Sequence, residues 1–90
     1  MLVVWDEPKR ISNLRTHGLD FADARERFSF EEAIVFPSYA GRGGRERYVA
    51  VGPLDDRLVA FVFAILGTEA VSLISLRPAS RRERRLYEQA

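Results

Sequence analysis

The stretch "ERYVAVGPLDDRLVAFVFAILGTEAVSLISL" (Glu46–Leu76) decides the fold of this chain. Its first segment, "ERYVAVGPL", carries Tyr48, Val49 and Val51 among smaller or polar positions, the composition of a strand. "DDR" is a tight-turn signal, and beyond it "LVAFVFAIL" is an unbroken apolar run of strand length. "GTE" signals a second turn, leading into "AVSLISL". Three strands joined by two tight turns form an antiparallel meander. The unbroken apolar strand belongs in its centre, buried on both faces.

Upstream, "LVVW" (Leu2–Trp5) reads as a short β-branched strand. "DEPKRISNLRTHG" follows as a helix: Asp6 can cap it, Pro8 suits its first turn and Gly18 can end it. Ile11 and Leu14 form a thin apolar stripe along it. Asp20 opens a second helix, "DFADARERF", with Phe21, Ala24 and Phe28 at helical spacing. "AIVFP" is a further strand candidate, and "SYAGRGG" reads as a mobile loop. At the far end, "ASRRERRLYEQ" is a helix whose Ser80-x-x-Glu83 spells a capping box. Ala79, Glu83, Leu86, Tyr87 and Ala90 share the side that docks, and Arg81, Arg84, Arg85 and Glu88 the side that faces out. The expectation is one α+β domain over residues 1–90. An antiparallel sheet of about four strands packs with two N-terminal helices and one C-terminal helix.

Composition narrows the function. Ninety residues, 47% hydrophobic and 30% charged, describe an ordinary globular domain. No cysteine is present, which removes disulfides and thiolate chemistry. The N-terminus lacks the charged region and long apolar run of a signal peptide, and "LVAFVFAILG" is about half a membrane span, so a cytoplasmic protein is expected. The net charge of +1 conceals an asymmetry, because five of the last fourteen residues are arginines (Arg77, Arg81, Arg82, Arg84 and Arg85).

Several residues have both a structural and a chemical reading. The helix arginines are either a solvated face or a surface for phosphate or a protein partner. Arg77 ends a strand before Pro78, where a side chain reaches a groove beside the sheet. His17, the only histidine, is a helix-end cation or a general acid–base group. "GRGG" (Gly41–Gly44) lacks the Lys-Ser/Thr and the strand-to-helix setting of a phosphate cradle, and reads as a loop. Asp55 and Asp56 are turn formers. Neither metal-ligand spacing nor a Ser-His-Asp signature occurs, and no cofactor is expected.

Taken in order, these residues resemble the BrnT toxin family. Trp5, Asp6, Lys9, Asn13, His17, Gly18, Phe21 and Phe28 match its opening. Glu46, Arg47, Tyr48 and Gly52 match its Glu-Arg-Tyr strand ending in Gly, and Ile74, Ser75, Arg77, Ala79, Glu83 and Tyr87 its end. The resemblance implies a RelE-like fold and a ribonuclease toxin of a type II toxin–antitoxin module that blocks translation. The implied antitoxin is a DNA-binding BrnA-like protein, through which alone the toxin meets operator DNA. Metal-independent RNA cleavage needs proton transfer to and from oxygen, and cations on the phosphate. His17 or Glu46 would move protons, while Lys9, Arg47 and Arg77 would neutralise charge. Arg81, Arg84 and Arg85 would contact RNA or antitoxin. Two positions that are cationic in the family are Leu66 and Ser72 here, and the loop before Glu46 is glycine-rich, with Arg42 and Arg45 as possible replacements. Those departures define the alternative reading, a catalytically weakened relative that keeps antitoxin or RNA binding.

Overall fold

The computed structural model describes residues 1–38 and 46–90. The glycine-rich loop read at 38–44, with Arg42 and Arg45, lies outside the described residues apart from Ser38. In chain order the elements are β1 (Leu2–Val4), α1 (Glu7–His17), α2 (Phe21–Arg27) and a single 3-10 turn (Phe30–Glu32). Then follow β2 (Ile34–Ser38), β3 (Arg47–Leu54), β4 (Arg57–Leu66), β5 (Ala70–Pro78) and α3 (Arg81–Gln89).

The meander forms as its turns dictate. β3 and β4 pair antiparallel out to Leu54–Arg57, around Asp55 and Asp56. Asp55 adopts a positive φ of 57°, which a short acidic side chain tolerates. Arg27, at the end of α2, clips this turn with two hydrogen bonds to the Asp55 carboxylate, at 2.8 and 3.1 Å. β4 is central in the order β1-β5-β4-β3-β2, as its apolar run requires.

The sheet departs from expectation in size and direction. Among the described residues it has five strands, not about four, and it is mixed, because β1 runs parallel to β5 with Leu2 level with Ala70. A parallel neighbour must be reached by a long crossover, so no local turn announces it.

Strand alternation divides the core in two. Phe21 and Ala24 of α2, with Phe28 just beyond its end, pack against Val59, Phe61, Phe63, Leu73 and Leu76 on one face. There Phe28 stacks on Phe61 at 5.0 Å between ring centroids, and Phe30 meets Phe61 edge-on at the same distance. On the other face, Val49, Val51 and Ala60 lie beneath Ala79 and Tyr87. Tyr87 also donates a 3.0 Å hydrogen bond to the Glu32 carbonyl, tying α3 to the 3-10 turn.

Helix α1 also differs from its sequence reading. Ile11 and Leu14 do not form a buried stripe; they are 43% and 40% exposed. The buried residue of α1 is Asn13. Its amide donates to the Leu76 carbonyl at 2.8 Å and the Leu19 carbonyl at 3.1 Å, and its oxygen accepts from the Leu76 N–H at 3.1 Å. β1 stops at Val4, opposite Ser72, so among the described residues β5 has no strand neighbour on that edge at Leu76. The Asn13 side chain supplies the missing donor and acceptor there. Asp6 makes no side-chain cap bond, whereas Asp20 accepts from the Ala22 N–H at 3.0 Å, and Gly18 ends α1 with φ 69°.

Candidate active site

The clearest charged constellation lies where β5 gives way to α3. Arg77 is level with Ala60, so alternation points it to the face covered by α3. Pro78 ends the strand, and Ser80 starts the helix by accepting from the Glu83 N–H at 3.2 Å. Glu83 reciprocates by accepting from the Ser80 N–H at 2.8 Å, so the capping box read from the sequence forms. The same carboxylate receives both terminal nitrogens of Arg77, at 2.7 and 2.9 Å, in a fork-to-fork pair. Glu83 is only 8% exposed. The Arg77 hydrogen bonds, helped by the Ser80 N–H and opposed by burial, hold its carboxyl down to about 2. This doubly used carboxylate is what the sequence reading missed: the capping box accounted for Glu83 and left no reason to look for a second partner.

Arg47 shares that sheet face. It lies opposite Ser38, in phase with Val49 and Val51, and Val51 is level with Ala60 and hence with Arg77. At about 3.4 Å per residue and about 4.8 Å per strand, the two arginine backbones stand about 17 Å apart. Ser75 is level with Val62, Ser72 with Ala64 and Ala70 with Leu66, so Leu66 and Ser72 belong to this face too. The positions that are cationic in the resembled family therefore lie on the arginine-bearing side.

The remaining candidates fall elsewhere. Lys9 and His17 line a depression of about 280 Å³ with Ser12, Thr16 and Ile74, beside β5. Asn13, one turn from each, grips Leu76, the residue before Arg77. α1 is thus anchored next to Arg77 without sharing its face. Glu46 is exposed, and its carboxylate accepts from the Tyr48 hydroxyl at 2.8 Å, which pushes the Tyr48 phenol up from its ordinary value. Tyr48 stacks on Phe63 at 5.7 Å, so Glu46 is drawn to the face opposite Arg47.

On α3, Arg81, Arg84 and Arg85 are exposed, as their helical positions require. Arg82 is exposed as well, but it borders a groove of about 740 Å³ between β2 and α3. Ile34, Phe36, Val49 and Leu86 give that groove its apolar lining, with Arg77 and Glu83 at its side. Among the described residues no cluster of three or more His, Asp or Glu could hold a metal ion. No described helix is long and apolar enough to cross a membrane.

The comparisons with known proteins agree with this architecture. The family model described as "Ribonuclease toxin, BrnT, of type II toxin-antitoxin system" matches residues 5–83. The 1.1 Å crystal structure of the Brucella abortus ribonuclease toxin BrnT is similar at 44% identity and a TM-score of 0.75, covering 90% of this chain and 99% of that one. Among curated proteins nothing matches the chain. The matched span runs from Trp5 to Glu83 and takes in α1, the meander, Arg77 and its carboxylate partner: the chain belongs to the BrnT family of ribonuclease toxins of type II toxin–antitoxin systems.

Proposed function

We propose that this chain, acting as a single cytoplasmic domain over residues 1–90, cleaves RNA without a metal, blocks translation and is neutralised by a DNA-binding BrnA-like antitoxin. Operator DNA is met only through that antitoxin. The observation that carries this reading is the family match over residues 5–83, which includes Lys9, His17, Glu46, Arg47 and Arg77. Arg77 binds the scissile phosphate. His17 and Lys9, anchored beside it by Asn13, move a proton and neutralise charge. Arg47 holds the RNA further along the same sheet face, and Glu46 is the alternative base. Arg81, Arg84 and Arg85 contact the RNA backbone or the antitoxin.

Induction of the chain alone in bacteria should arrest growth and stop amino-acid incorporation, and co-expression of the antitoxin should restore both. Purified protein should cleave RNA in excess EDTA. Arg77→Ala and Arg47→Ala should abolish toxicity; Arg47→Ala should keep the Tm within a few degrees of the parent, whereas Arg77→Ala should lower it, because the buried Glu83 carboxylate loses its partner. Normal growth at confirmed expression would remove the toxin reading. It would favour the second one, a catalytically weakened binding protein, which rests on the apolar Leu66 and the uncharged Ser72 on the arginine-bearing face. RNA or antitoxin binding without cleavage identifies that case.

A further inference from the structure

The role proposed for Arg77 raises the question of what holds its guanidinium still. An arginine side chain has several rotatable bonds, and fixing it costs rotamer entropy. In this chain both terminal nitrogens are taken up by one carboxylate, at 2.7 and 2.9 Å. That carboxylate is itself fixed. Glu83 is 8% exposed, sits in the first turn of α3 and is held by the Ser80 N–H at 2.8 Å. The strand end and the helix start are thus joined twice within a few residues, once through the cap and once through the ion pair. A capping box alone requires only the contacts between Ser80 and Glu83. Its N3 residue is as well served by glutamine as by glutamate, so the cap does not explain a charged fork aimed at a neighbouring arginine. The paired charge also lets Arg77 present a planar group in one orientation, which a flexible exposed arginine cannot do.

We propose that Glu83 is a positioning residue of the cleavage site: it holds the Arg77 guanidinium in the plane and place from which that group meets the RNA phosphate. The inference rests on the reading of Arg77 as the phosphate-binding cation. Glu83 acts through Arg77 and touches no substrate. Loss of this orientation is felt mainly in the chemical step, because misplacing a catalytic group by about 1 Å can cost about 10²-fold in rate.

The test uses the full chain and a defined single-stranded oligoribonucleotide. Glu83→Gln keeps an acceptor for the Ser80 N–H and removes the charge. It should lower kcat by about tenfold to a hundredfold with little change in KM. Ser80→Ala is the structural control; it should lower the Tm through the lost cap and leave kcat unchanged. Arg77→Ala should be inactive, and added guanidinium should partly restore cleavage, because Glu83 still offers its fork. The double variant Arg77→Ala/Glu83→Gln should show no such rescue. In the parent protein, nitrogen-15 NMR should show slow rotation of the Arg77 guanidinium, unlike those of Arg81, Arg84 and Arg85; this measurement needs no variant to fold. Wild-type kcat in Glu83→Gln, equal loss of kcat in Ser80→Ala and Glu83→Gln, or a freely rotating Arg77 guanidinium would each overturn the proposal. Full cleavage by Arg77→Ala would instead show that the phosphate is bound elsewhere, and would remove the reading on which the proposal stands.

Discussion

Replacing Asn13 should damage the protein more than its place on an exposed helix suggests. In Asn13→Ala, the Leu76 N–H, the Leu76 carbonyl and the Leu19 carbonyl lose their partners together. A buried polar group left unpaired costs about 1–3 kcal/mol, and water entering the space left by the truncated side chain recovers part of that. The net loss should be about 2–4 kcal/mol, a large share of the roughly 5–13 kcal/mol expected for a domain this size. In a domain of this length each kcal/mol moves the Tm by about 4–8 °C, so a drop of about 10–25 °C is expected. Thermal and urea denaturation followed by circular dichroism measure it. Asn13→Asp sharpens the test. The new carboxylate can still accept from the Leu76 N–H but faces two carbonyl oxygens, so burial and repulsion raise its pKa above the unfolded value of about 3.9. Relative to the parent, the variant should lose stability as pH rises from about 4 through that raised pKa, and then level off. A loss below about 1 kcal/mol in Asn13→Ala, or no pH dependence in Asn13→Asp, would show that water satisfies the β5 edge and that the bracing argument is wrong.

Glu83 should dominate the acid limb of the parent protein. Its carboxyl is held to about 2 against an ordinary 4.5, so it contributes at most about 3 kcal/mol. That contribution is complete above pH 4.5 and is lost as pH falls through about 2; urea midpoints across this range should fall in the parent and stay flatter in Glu83→Gln. Gly52→Ala should cost about 1–3 kcal/mol in chemical denaturation, since a Cβ there would stand 3.0 Å from the Ala33 Cβ and 3.4 Å from the Phe28 ring. Replacing Arg81, Arg84 and Arg85 together with Gln should leave the Tm within a few degrees. The same change should reduce the salt slope of RNA binding by up to about 2, read by fluorescence anisotropy at several salt concentrations. An unchanged slope would make those arginines a solvated face.

Much of this fold is written locally. The two tight turns, the central apolar strand and the Phe21–Ala24–Phe28 spacing each depend on neighbours within a few residues, and each forms as read. The capping box at Ser80 and Glu83 is local in the same sense. What escaped the sequence depends on distant partners. The parallel seat of β1 depends on residues near Ala70, and the burial of Asn13 in place of Ile11 and Leu14 depends on β1 ending short of Leu76. The 3-10 turn at Phe30–Glu32 was hidden because its signal is a single phenylalanine filling a gap between Phe28, Phe61 and Phe63. At the site, strand phase puts Arg47 and Arg77 on one face and Glu46, in step with Tyr48, on the other, so it is the resemblance and not the residue count that groups Glu46 with the arginines.

The seating of β1 against β5 also has a consequence for how the polypeptide is made. Leu2 waits for Ala70, and Asn13 waits for Leu76. Closing so long a loop costs entropy that only the completed contacts return, which slows folding. A chain still emerging from the ribosome, with its opening fifth already outside, has nothing on which to seat β1 or brace α1. Arg77 and Glu83 follow later still. Premature termination anywhere before β5 should therefore release an unfolded fragment for proteolysis rather than a partial toxin. No activity is expected before β5 and the first turn of α3 have been made.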